Sequence, residues 1–279
     1  MEMEITEAGE DLLVRPVREL NLDRTLDCGQ AFRWRKDGEG IWHGVVRGVP
    51  VSLAQEEQIT FFHTSKEEFK RIWYPYFDLG RDYSAVSARL CEDPVLARAV
   101  REYRGIRILR QEPWEALCSF IISQNNNIPR IKGIIERLCG SFGEEIAPGW
   151  FSFPSPERLA GLEPEELSGL RAGFRARYII DAARKTAAGL VSLEKLADRP
   201  TEEAREELMT ITGVGAKVAD CTLLYGLGKL EVCPMDVWMK RVVGAFYPEG
   251  LPACTRGIQG IAQQYLFHYA RTSGVLNAG

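Results

Sequence analysis

The chain contains no run of apolar residues long enough to cross a bilayer, which excludes a membrane-spanning helix. No basic leader is expected. The first residues read MEMEITEAGEDLL, acidic where a signal or transit peptide is basic. The expected location is therefore intracellular and cytoplasmic, with no membrane partner. Neither end carries a basic tail or localisation cluster, which points to a prokaryotic source. Closely spaced cysteines are missing too. The seven, Cys28, Cys91, Cys118, Cys139, Cys221, Cys233 and Cys254, are odd in number and never nearer than twelve positions apart. That spacing excludes a zinc knuckle or an iron–sulfur loop, so no metal site is expected and most of these thiols are read as reduced and buried. Positive charge is not in excess. The net charge of −4 argues mildly against a nucleic-acid partner, although binding depends on local basic surface rather than on the total. No repeat or low-complexity segment is evident.

What is present is an ordinary globular composition over 279 residues, enough for one large domain or two packed together. The first third is strand-rich. LLVRPV, QAFRWRK, IWHGVVRGVPVSL and QITFFHT carry aromatic and β-branched residues in rough alternation, punctuated by Gly38, Gly40, Gly48 and Pro50. SKEEFKRIWYPYF then reads as a helix interrupted at Pro75. Near residue 94 the apolar period becomes helical and stays so, apart from the loop GSFGEEIAPGWFSFPSP. The expected fold class is α+β: an N-terminal antiparallel β-sheet domain, 1–105, and a larger all-helical domain, 106–279.

One segment is locally basic. Arg171, Arg175, Arg177, Arg184 and Lys185 face only Asp181 between residues 171 and 185, a pattern that an ordinary solvated helix face also shows. The more informative stretch is ITGVGAKVADC, Ile211–Cys221. A helix precedes it and another follows it, so Gly213 and Gly215 lie in a tight hairpin at about 211–216. Glycines let such a turn approach another surface closely. The free N–H groups of the next helix then make an anion site suited to a DNA phosphate. A plain helix–helix turn has the same outline. Lys217 tips the balance, because a cation in the first turn opposes the helix dipole and makes the free amine more available. Sixteen residues beyond Lys217 begins CPMDVWMKRVV, with Pro234 and then Asp236 as candidate N-cap. An amine nucleophile and a carboxylate held by backbone N–H groups suit glycosidic chemistry: the amine attacks the sugar C1′ and the carboxylate stabilises the cationic transition state.

GVGAKVADC followed by CPMDVW resembles the helix-hairpin-helix, Gly/Pro-rich loop and aspartate signature of base-excision DNA glycosylases. CGQAFRWR at 28–35, SFIISQNNNIPRIKGIIERLC at 119–139 and GFRARY at 173–178 narrow the resemblance to the 8-oxoguanine DNA glycosylase family. The resemblance implies that Lys217 is a Schiff-base nucleophile with β-elimination lyase activity, and that Asp236 is the catalytic carboxylate. It implies a lesion pocket built from Gly29, Cys221, Gln263, Phe267 and Pro234. The Gly29 carbonyl would bond the N7–H that 8-oxoguanine has and guanine lacks. On the opposite strand it implies that Asn125 fills the gap left by the flipped base, Phe174 wedges, and Arg130 and Arg175 donate to cytosine, with Gly213 and Gly215 on the DNA backbone. The implied partner is double-stranded DNA containing 8-oxoguanine. The implied enzyme is a monomer that requires no cofactor, and its hairpin carbonyls suit a structural monovalent cation. Two positions depart from the family pattern: Trp238 stands where animal members carry histidine, and Phe174 replaces tyrosine. A glycosylase for another damaged base, or a helix-hairpin-helix binding module without chemistry, remain as alternatives.

Overall fold

The computed structural model describes residues 3–15 and 19–274. Six strands form one antiparallel sheet: β1 (Glu4–Ala8), β2 (Asp11–Arg15), β3 (Trp34–Lys36), β4 (Trp42–Val46), β5 (Val49–Gln55) and β6 (Ile59–Phe62), in the order β1-β2-β6-β5-β4-β3. The alternation seen in the sequence is the inward row. Leu12, Val14, Val51, Leu53, Ile59 and Phe61 are all buried. β1 was not legible, because nearly all its side chains face solvent and leave no apolar alternation. The end of LLVRPV, Pro16 and Val17, lies outside the described residues. Gly44 has a specific reason to be glycine. It pairs with Trp34 across β3 and β4, and a Cβ there would sit 2.4 Å from the indole. The indole N–H donates to Tyr76 Oη at 2.8 Å.

The helical reading of 65–77 needs one correction. The helix runs past Pro75 to Tyr76, because a π-helical turn, Phe69–Trp73, precedes it. The wider turn relieves the clash that a proline ring makes with the carbonyl one turn back. The loop 140–156 also contains a small two-stranded hairpin, Glu145–Ala147 with Trp150–Phe151.

The helices that matter for function are Pro113–Ser123, Ile128–Phe142, Arg175–Ala187, Thr201–Met209, Ala216–Cys221 with its π-helical continuation Thr222–Gly226, Val237–Phe246 and Gln259–Thr272. The Pro113–Ser123 helix is the axis of the helical part, with Ala116 to Ile122 buried on every side. Two apolar cores result. One draws on residues 12–79 and Leu109. The other is helical but takes in Cys28 and Phe32 from the N-terminal third. That intrusion carries Gly29 across to the helices.

Candidate active site and nucleic-acid interface

The hairpin is built as a rigid joint. Gly213 has φ +79°, and its missing Cβ leaves room for the Tyr178 ring, whose Cδ2 would otherwise be 2.3 Å away. Asp181 anchors the turn from the Arg175–Ala187 helix: its carboxylate accepts from Thr212 N at 2.7 Å and from Lys185 Nζ at 2.9 Å. Lys185 also donates to Thr210 O at 2.6 Å. Burial raises the Asp181 carboxyl, but these donors outweigh it and hold the group below its ordinary range. Gly215 differs from Gly213. It is the N-cap of the next helix with extended backbone, no side chain caps that end, and a Cβ there would meet nothing within 4 Å. The helix start is thus open, as an anion site requires.

Lys217 follows at once and is half-buried. Its Nζ donates to Ser123 Oγ at 3.1 Å and lies 5.2 Å from the Phe120 ring centroid. Ser123 in turn donates to Phe120 O at 2.8 Å. Phe120 and Ser123 were not singled out in the sequence. They share a face one turn apart on a helix whose amphipathic pattern does not mark them. Cys221, one turn after Lys217, is buried. Burial pushes its thiol up to about 11 against the pull of Lys217, so it remains a neutral wall. Asp236 caps the Val237–Phe246 helix, its Oδ1 accepting from Met239 N at 2.8 Å. Its charge acts on Cys221, Tyr225 and Cys233, which places it on the same cluster. Among the described residues Lys217 and Asp236 make no direct ion pair. Both flank Cys221. Pro234 is buried two residues before the cap. Trp238 is half-buried with the Arg241 guanidinium 5.5 Å from its ring, so a cation does stand beside the departing residue.

Gly29 reaches this cluster from the other side. Its φ is +89°, and a Cβ there would lie 3.3 Å from Ile128 Cδ1 and 3.6 Å from Phe267 Cε1. Gln263 is buried on the turn before Phe267, with Tyr225 Oη 3.4 Å from its Oε1. Cys221, Gln263, Phe267 and Gly29 are therefore linked by contact through Tyr225 and the C-terminal helix. Tyr225 and Gln264 were also unmarked in the sequence.

The residues expected to meet the opposite strand gather around the 124–130 segment and the start of the Arg175–Ala187 helix. Asn125 is exposed with φ +48°, a left-handed conformation that asparagine tolerates. Phe174 is 44% exposed, large and apolar, and meets Tyr178 edge-on at 5.6 Å. Arg175 is not a free fork. It is buried and donates to Gln124 O at 2.8 Å, Ala172 O at 3.0 Å and Asn125 O at 3.1 Å, with a second donor on Gln124 O. Arg130 is exposed, with a 3.5 Å contact to Arg171 O, and its charge reaches Arg175. The basic segment is likewise not one face. Arg184 is turned to Leu162 O and Glu163, and Lys185 to the hairpin, while Arg171 and Arg177 stay exposed.

A cavity of about 950 Å³ lies apart from these residues, between β3–β4 and the Ile128–Phe142 helix, and none of the expected site residues lines it. Among the described residues no three His, Cys, Asp or Glu side chains are grouped to hold a metal ion. No helix among them is long and apolar enough to cross a membrane.

Residues 12–117 match the family described as 8-oxoguanine DNA glycosylase, N-terminal domain, and residues 118–250 match the HhH-GPD superfamily base excision DNA repair protein. The N-glycosylase/DNA lyase of Saccharomyces cerevisiae is 34% identical over 258 residues, which span 82% of this chain and 69% of the yeast protein. The solved structure of MBOgg1 with a low-affinity DNA ligand superposes with a TM-score of 0.92 at 43% identity, covering 98% of this chain and 100% of that one. The Clostridium acetobutylicum 8-oxoguanine glycosylase/lyase, solved with double-stranded DNA containing cytosine opposite 8-oxoguanine, gives 0.91 at 35% identity over 98% and 100%. Relatives from yeast and Arabidopsis thaliana leave a prokaryotic source without support. With an antiparallel sheet leading into a helix-hairpin-helix domain, and both halves matched in order, the chain belongs to the 8-oxoguanine DNA glycosylase family of base-excision repair enzymes.

Proposed function

We propose that this protein is a bifunctional DNA glycosylase and abasic-site lyase that excises 8-oxoguanine opposite cytosine, as a monomer without a required cofactor. One observation carries the reading most directly. The Lys217 amine, held by Ser123 and Phe120 at the open start of the hairpin helix, lies one turn from the Cys221 thiol, and the Asp236 charge reaches the same thiol. The target nucleotide must leave the duplex to reach it. The amine then forms a bond to C1′ as the C1′–N9 bond breaks, and the base leaves with that electron pair and takes up a proton. The second amine proton passes to O4′ as the C1′–O4′ bond opens, and the nitrogen lone pair forms the C1′=N bond of a Schiff base. Removal of a C2′ proton then expels the 3′ phosphate, which is the β-elimination step. The Asp236 carboxylate stabilises the positive charge on the sugar as the base departs.

Recognition is divided among the remaining residues. Gly29 offers its carbonyl to N7–H, Gln263 reads the Watson–Crick edge, and Phe267 and Cys221 cover the ring faces. Asn125 and Phe174 occupy the gap on the other strand. Arg130 is the better placed of the two cytosine readers, because Arg175 gives four of its five donors to backbone carbonyls. The test is borohydride trapping on a duplex with 8-oxoguanine opposite cytosine. A covalent adduct in the wild type that is lost in Lys217→Gln is expected. An adduct only with another damaged base would transfer the function to that lesion, and no adduct with any lesion would leave a binding module.

A further inference from the structure

We propose that Tyr225 and Gln264 form a positioning relay that aims the Gly29 carbonyl and so sets how strongly the site prefers 8-oxoguanine to guanine. The inference rests on the function proposed above. Gly29 has no side chain to hold it and φ +89°, and among the described residues nothing bonds its carbonyl. Its neighbours are pinned on both sides. Cys28 O accepts from Gln264 Nε2 at 3.1 Å, and Gln30 O accepts from Gln111 Nε2 at 2.7 Å. Both glutamines converge on one residue. Tyr225 Oη donates to Gln264 Oε1 at 2.6 Å, and Tyr225 O accepts from Gln111 N at 2.8 Å. All four side chains in the chain, Gln30, Gln111, Gln264 and Tyr225, are buried. Burial also pushes the phenol well above its ordinary range, so it remains a donor.

Close backbone approaches make the convergence possible. A Cβ on Gly226 would lie 2.9 Å from Pro113 Cα, and one on Gly260 would lie 2.3 Å from Leu224 Cδ1. These two glycines let the lysine helix touch the Pro113–Ser123 helix and the C-terminal helix on either side of Tyr225. The Tyr225 ring stacks on Phe120 at 5.2 Å and 18°, and Phe120 carries the Lys217 amine on its ring. One helix therefore supplies both the nucleophile and the hub that fixes the discriminating carbonyl. A hydrogen bond to N7–H weakens steeply as its angle opens, and guanine presents a lone pair to the same oxygen, so aim decides selectivity.

The test uses the full chain. In the Lys217→Gln background, Kd is measured for duplexes with 8-oxoguanine or guanine opposite cytosine, with and without Tyr225→Phe or Gln264→Leu. Cleavage of a preformed abasic duplex is measured for each variant with Lys217 intact. The 8-oxoguanine to guanine preference is expected to fall roughly tenfold in both variants, about 1.4 kcal/mol. Abasic cleavage, which involves no base, is expected to stay within about twofold of the wild type. A preference that survives both variants overturns the relay. Loss of abasic cleavage together with the preference in both variants also overturns it, since the bonds would then serve the fold alone. If the parent protein shows no preference for 8-oxoguanine, the underlying function falls and the relay with it.

Discussion

Replacing Gly213 and Gly215 separately by alanine distinguishes the two ways a hairpin glycine serves. At Gly213 the cost is internal. An alanine at φ +79° carries about 1–2 kcal/mol of backbone strain. Its Cβ would meet three Tyr178 ring atoms at 2.3–2.5 Å, a degree of overpacking that costs about 1–3 kcal/mol. For a chain of 279 residues the unfolding entropy is about 0.6 kcal/mol/K, so the combined cost lowers Tm by about 3–8 °C. Relief requires Tyr178 to swing, and Tyr178 packs on Phe174, so the wedge moves as well. At Gly215 the fold scarcely notices. The backbone is extended and the added methyl meets nothing within 4 Å. Alanine is only a poorer N-cap, at about 0.5–1 kcal/mol. A phosphate close to those N–H groups would notice, because the methyl occupies the approach. Differential scanning calorimetry and DNA titration together give the readout. Gly213→Ala should lose Tm, and Gly215→Ala should keep Tm within about 2 °C while binding DNA several-fold more weakly. If Gly215→Ala binds DNA as the wild type does, the hairpin does not grip the backbone and the reasoning fails.

Arg130→Ala should narrow the preference for cytosine over adenine opposite the lesion with Tm nearly unchanged, since Arg130 is exposed. Arg175→Ala, which orphans the carbonyls of Gln124 and Asn125, should lower Tm by about 3–5 °C in addition; equal melting of the two variants would contradict these placements. A thiol reagent near pH 8 should find one fast cysteine of seven, the exposed Cys91, because burial holds Cys28 and Cys221 up at about 11 and Cys139 and Cys233 up at about 12. A fast thiol persisting in Cys91→Ser would refute that order. The depressed Asp181 carboxyl contributes stability that is present above its unfolded value and lost as pH falls through its lower folded value. The stability gap between wild type and Asp181→Asn should therefore be full near pH 7 and shrink below about pH 4; a gap that grows in acid would reverse the sign.

The sequence by itself determined most of the elements and named the residues proposed to carry the chemistry. Alternating residues mark β4 to β6 because each strand buries one face, and the 3.6 period marks the helices for the same reason. The hairpin was legible because only glycine suits Gly213, and Asp236 because a carboxylate before a helix caps it. Strand β1 was not, since it buries almost nothing. Tertiary structure alone decided which residues meet. Arg175 looked like part of a basic face and is instead turned inward, where its guanidinium supplies donors to the carbonyls of the 124–125 turn. Tyr225 and Gln264 carry no local signal, for a buried hydroxyl finding a buried amide 39 positions away is a matter of helix crossing and not of spacing. Gly29, whose neighbours are held by Gln264 on the C-terminal helix and by Gln111 just before the Pro113–Ser123 helix, shows the physical limit: a sequence names the groups that need satisfying, and only the packed fold shows which partners satisfy them.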